Sequence, residues 1–127
     1  MQLKLLVYFK FHQMENMSDA KVFVSYLATC ISNLVKVVEK YKFEPEVINE
    51  AKQAELDWNE YLQDFNSYDS DAQLNELMSR TCKLYKKVGK QLVEKVKSDE
   101  LKINDELMCF KYEYTLTVNS IENYFKY

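Results

Sequence analysis

Residues able to do chemistry are few in this chain of 127 residues. His12 is the single histidine and falls ahead of the helical stretches, so it reads as a surface residue. There is no second imidazole to complete a triad, no Gly-rich phosphate loop and no nucleophile elbow, which argues against nucleophilic catalysis. Helical bundles can hold two metals with glutamates and Glu-x-x-His pairs, yet no Glu-x-x-His occurs here. Haem attachment through Cys-x-x-Cys-His is equally unsupported. Cys30, Cys82 and Cys109 are odd in number, far apart and not in a CxxC pair, so neither a disulfide framework nor a zinc site is expected. They read as small buried hydrophobes in a reducing compartment. The expectation is a cytoplasmic protein that is not an enzyme and carries no cofactor or metal.

Charge offers more than nucleophiles do. Residues 44–71 hold nine acids against Lys52, whereas 72–97 hold Arg80 and six lysines against Glu76 and Glu94. One reading is that neighbouring helices complement one another and solubilise the surface. The other uses Arg80, Lys83, Lys87, Lys90 and Lys97 as an electrostatic docking stripe for an acidic partner. The net charge of −3 provides no global field for nucleic acid, and a single Arg among seventeen basic residues leaves little capacity for bidentate phosphate or guanine recognition. No specific nucleic-acid reading is expected.

The elements that must position these residues are helices. One Gly (Gly89) and one Pro (Pro45) are the only strong chain-breakers. Helix one is expected to begin after Ser18-Asp19, with the seam Phe23, Leu27, Cys30, Leu34, Val37, Tyr41 beside a second seam, Val24, Ala28, Ile31, Val35, Val38. Two apolar seams require cover on two sides. Helix two starts near Glu44-Pro45, where proline is harmless in a first turn, and repeats Ala51, Ala54, Trp58, Tyr61, Phe65, Tyr68. A break at 66–69 precedes a capping box, Ser70 with Gln73. Helix three then buries Leu74, Met78, Thr81, Tyr85, Val88, Leu92 and Val96, flanked by Leu77 and Leu84, and turns near Ser98. Helix four begins there or at Asn104 and carries Leu107, Phe110, Tyr114, Thr117, Ile121 and Tyr124, flanked by Val118 and Phe125. Its β-branched and aromatic content makes it the weakest helix by propensity.

Short connections make consecutive helices antiparallel, so the expected fold is all-α: an up-down-up-down four-helix bundle over 18–127 with a short arm at 1–17. The arm, with Leu3, Leu5, Val7, Phe9 and Phe11 alternating, is too short to span a membrane. It is either a packing arm or upstream residues of an over-called start, since Met14 and Met17 also offer initiation points. No transmembrane segment is expected.

Two further features ask for an explanation. Gly89 interrupts helix three at a cost of about 1 kcal/mol relative to Ala. Close helix approach, with Trp58 a possible neighbour, competes with a kink or a ligand contact. Ten tyrosines and seven phenylalanines exceed what the stripes require, and Tyr112, Tyr124, Phe125 and Tyr127 cluster at the end. They either complete the last core layer or, with Phe9 and Phe11, form a partner surface. The functional expectation is a non-enzymatic interaction module acting through helix one, the arm and the terminal aromatics on a protein partner or a second copy. The alternative is an inhibitor or immunity factor that blocks a macromolecule through its charged helices.

Overall fold

The computed structural model describes residues 17–64 and 71–126. Phe9, Phe11, His12, Phe65, Tyr68, Ser70 and Tyr127 lie outside them. Among the described residues the chain is all-helical: α1 (Met17–Lys40), α2 (Pro45–Gln63), α3 (Asp71–Lys97) and α4 (Asp105–Lys126).

Both seams of α1 are buried, Phe23, Leu27, Cys30, Leu34 and Val37 on one and Val24, Ala28, Ile31, Val35 and Val38 on the other. The cover comes from α2 and α4, both of which pack on α1, while α3 packs on α2 and α4 and closes the ring. Direction follows from the pairs. Phe23 lies against Tyr124, Asn33 against Glu113 and Lys40 against Glu106, so positions rise along α1 as they fall along α4. Glu50 with Lys87 and Asp57 with Arg80 set α2 against α3 in the same opposed sense. The apolar residues of Lys21–Lys40, a stretch that by length and composition alone could cross a membrane, supply much of the bundle's core.

α1 is already helical at Met17, so Ser18 and Asp19 lie within the helix instead of capping it. Their small helix penalty is outweighed by the packing of Phe23 and Val24 one turn on. Pro45 opens α2 as expected, and Glu44 before it makes no side-chain cap bond. The two candidate starts of α4 resolve to Asn104, whose side-chain oxygen accepts the Leu107 N–H at 2.8 Å. The Asn104 amide also donates to the Tyr41 hydroxyl at 3.0 Å, and that hydroxyl donates to Glu106, which also pairs with Lys40 at 2.8 Å. The end of α1 is thus tied to the start of α4.

Two polar bonds cross the core. Trp58, fully buried, donates its indole N–H to Thr81 Oγ1 at 2.7 Å and joins α2 to α3. Tyr85 donates its hydroxyl to the Cys30 carbonyl at 2.8 Å and joins α3 to α1. Cys30 and Cys82 are buried, and burial pushes the Cys30 thiol up to about 11. Cys109 departs from the expectation and is exposed. The inward row of α4 runs through Leu107, Phe110, Thr117, Ile121 and Tyr124, which turns position 109 outward.

α1 and α3 end alike. Lys42 (φ 54°) and Asp99 (φ 61°) adopt the left-handed conformation. Phe43 N–H reaches the Val38 carbonyl at 2.9 Å and Lys42 N–H the Glu39 carbonyl at 3.2 Å. Glu100 and Asp99 repeat the pattern on Lys95 and Val96. Both are Schellman caps built without the glycine that suits them. Lys42→Gly and Asp99→Gly are each expected to raise stability by about 1 kcal/mol by relieving Cβ strain. Urea unfolding of the two variants measures this, and a loss of stability in both would contradict it.

Candidate functional site: a lysine-rimmed groove between α3 and α4

α3 and α4 pack side by side. A groove of about 600 Å³ runs between them from Lys86 to Lys97 on α3 and from Ile103, just ahead of α4, to Thr115 on α4. That volume is within the range of ligand and peptide clefts, roughly 300–1,000 Å³. Its floor is apolar: Leu92, Leu107 and Phe110 are buried, and Val96 is half-buried. Val93, 51 % exposed, and Ile103, 46 % exposed, form apolar walls open to water. Four lysines rim it, Lys86, Lys90 and Lys97 from α3 and Lys111 from α4, and among the described residues no acid lines it. Glu122 holds Lys86 at 2.7 Å and keeps it charged, raising its pKa mainly through that hydrogen bond. Lys90, Lys97 and Lys111 form no ion pair among the described residues.

Gly89 explains how the groove is shaped. A Cβ at this position would stand 2.7 Å from Tyr114 Cε2 and 3.0 Å from Cζ. The glycine therefore lets the Tyr114 ring lie against the backbone of α3, and the close neighbour is Tyr114 of α4 in place of Trp58, the possible neighbour named from the sequence. Behind that ring stands Tyr85, centroids 6.2 Å apart, and Tyr85 stacks on Phe110 at 6.1 Å. Since the Tyr85 hydroxyl is anchored on α1, the groove floor rests on a fixed aromatic block.

The residues singled out in the sequence scatter over several surfaces. Tyr112, 66 % exposed, and Phe125, 49 % exposed, remain on the outside of α4. Tyr124 is buried at 3 % exposure with its ring 6.4 Å from that of Phe23, so it completes a core layer. Both seams of α1 are likewise used up inside the bundle, leaving Val22 as its one exposed large apolar residue among the described positions. The basic stripe divides in two. Arg80 pairs with Asp57 at 2.6 Å and Lys87 with Glu50 at 2.7 Å, both from the acidic α2. Lys83, Lys90 and Lys97 stay exposed, and the last two join the groove rim. Sequence reading missed Val93, Ile103, Lys86 and Lys111. The available signal was Val93, an apolar residue off the inward row and one turn beyond Gly89.

A second polar feature lies on the other side of α4. Glu113 accepts a hydrogen bond from Asn33 at 3.2 Å, while its other carboxylate oxygen and the Thr117 hydroxyl are buried without a partner. Burial raises the Glu113 pKa, offset in part by the polar side chains of Asn33 and Tyr85. Among the described residues no group of three or more His, Cys, Asp or Glu is placed to hold a metal ion. No protein-family model matches the chain, and no curated protein or solved structure matches it.

Two variants probe this region. Gly89→Ala is expected to lower stability in the wild-type background by displacing Tyr114, but to raise it by about 1 kcal/mol in a Tyr114→Ala background, where only helix propensity counts. Equal effects in the two backgrounds would sever the link between ring and glycine. Glu113 titrates higher in the folded chain than in the unfolded one, so its charge opposes folding above that raised pKa, and the penalty disappears as pH falls through it. Glu113→Gln is therefore expected to raise Tm at pH 7, with the gain closing on acidification. A gain that grew in acid would reverse the assignment.

Proposed function

We propose that the chain is a non-enzymatic interaction module of the cytoplasm that receives a segment of a partner protein in the groove between α3 and α4. The observation that carries this reading is an apolar floor with two exposed aliphatic walls, Val93 and Ile103, beside a row of lysines. Exposed apolar surface gathered into one concave site, with a polar rim around it, is the usual form of a protein-docking cleft. The aromatic floor is already buttressed by Tyr85, so little ordering cost would attend binding. Tyr112 and Phe125 lie outside the groove lining and are peripheral to it in this reading.

A second reading keeps the inhibitor class, in which the charged helices block a macromolecule. It draws on Lys83, an exposed cation on α3 outside the groove lining that makes no ion pair among the described residues. The two separate by mutation. Val93→Asp and Ile103→Asp are expected to abolish recovery of a stoichiometric partner from native lysate while leaving the helical circular dichroism intact. Lys83→Glu is expected to leave recovery unchanged. Loss of the partner with Lys83→Glu alone, and retention with both groove variants, would favour the charged-helix reading and reject the groove.

A further inference from the structure

The groove's charges and walls narrow the chemistry of what it receives. Resting on the docking reading above, we infer that the occupant is an acidic amphipathic helix of a partner protein. Its aliphatic side chains would lie on Leu92, Val93, Val96 and Ile103, and its carboxylates would face Lys90, Lys97 and Lys111.

Three observations carry this choice. The first is charge. In a chain with more acids than bases, the groove is lined, among the described residues, by four lysines and no acid, and three of those lysines have no ion pair there. The second is distribution. Of the cations without an ion pair among the described residues, Lys90 and Lys97 stand two turns apart on α3, about 10 Å at the usual helical rise. Lys111 stands on the opposite rim. A fatty acid or other single-headed anion needs cations at one end of an apolar slot, whereas cations along both rims match carboxylates repeated along a helix. The third is the floor, which is apolar. A nucleic acid would bring phosphates to the rim and leave Val93 and Ile103 uncovered, with no Arg for base edges. An amphipathic helix covers such a floor with residues at i, i+3 or i+4, and i+7.

Occupants available from this chain fit less well. The apolar residues 1–16 carry Lys4 and Lys10 with Glu15 as their one acid, so their charge opposes the rim. The acidic α2 of a second copy buries Val47, Ala51, Ala54, Trp58 and Tyr61 in its own bundle and exposes Leu56 as its one large apolar residue. That helix has the charge without the stripe.

The test uses the full chain and three labelled synthetic peptides of about 15 residues, each a Glu-rich helix with Leu at one of the spacings i, i+3, i+7; i, i+4, i+7; or i, i+4, i+8. Matched peptides carry Lys for Glu, or the same composition with Leu scattered round the helix, and oleate is included as a competing single-headed anion. Fluorescence anisotropy is expected to show saturable binding of at least one acidic amphipathic peptide. That binding should weaken about tenfold or more with Lys90→Glu/Lys97→Glu and should fall with added salt. Circular dichroism confirms that this surface double variant folds. No binding by any acidic peptide, equal binding of the Lys or scattered peptides, or insensitivity to the double variant would each overturn the inference. Displacement by oleate at lower concentration than by the peptide would transfer the site to a lipid-like anion and overturn it too. If these fail while Val93→Asp and Ile103→Asp still abolish recovery of the partner, the docking reading survives and only the partner chemistry is wrong.

Discussion

Cover for α1 on two sides is the constraint from which the rest of the structure follows. Exposing a fully buried Leu, Ile, Val or Phe costs about 1.5–3 kcal/mol, and α1 carries two complete rows of such residues side by side. α2 follows after four residues and can cover only one row. The other must be met by the last helix, which therefore returns to α1 along its length, from Phe23 with Tyr124 to Lys40 with Glu106. That demand sets the rotation of α4. Thr117, Ile121 and Tyr124 are buried in the core, and the edge bearing Lys111 and Tyr114 is left toward α3. α3 meets that edge at Gly89, where the Tyr114 ring rests against its backbone. Beyond this close approach the groove opens between the helices.

Electrostatics repeats the division. The acidic α2 and basic α3 complement each other through Asp57 with Arg80 and Glu50 with Lys87. Such exposed pairs contribute at most about 1 kcal/mol each, so their value to folding is slight. Their larger effect is on what remains. Arg80 and Lys87 are paired with α2 and Lys86 with Glu122, whereas Lys90, Lys97 and Lys111, around the groove, have no ion pair among the described residues. The positive character of the groove is thus local in a chain whose net charge is −3.

Much of this fold was legible in the sequence because helical burial is periodic. The rows of α1 and α3 read from spacing are the rows found buried, except that Tyr41 and Val96 at their ends are half-buried, and Asn104 caps α4 as its side chain allows. The site was less legible because a groove is a relation between two helices. Lys90 and Lys97 were visible as part of a basic stripe, but Ile103 and Lys111 acquire their meaning only once α4 is set beside α3. Gly89 announced a close approach without saying to what, since Tyr114 lies twenty-five positions away on another helix. Tyr124 stood in the sequence both on the inward row of helix four and among the candidate partner contacts. An aromatic near the end of a chain looks available to a partner, yet the open row of α1 captures it.

Lysine acetylation of the chain, alone and bound to its captured partner, with mass spectrometry reading each site, tests the groove as the docking surface most directly. The account predicts that Lys90, Lys97 and Lys111 lose reactivity in the complex while the exposed Lys36, Lys83 and Lys102 keep theirs. Unchanged reactivity around the groove, with protection at Lys36, Lys83 or Lys102 instead, would contradict it.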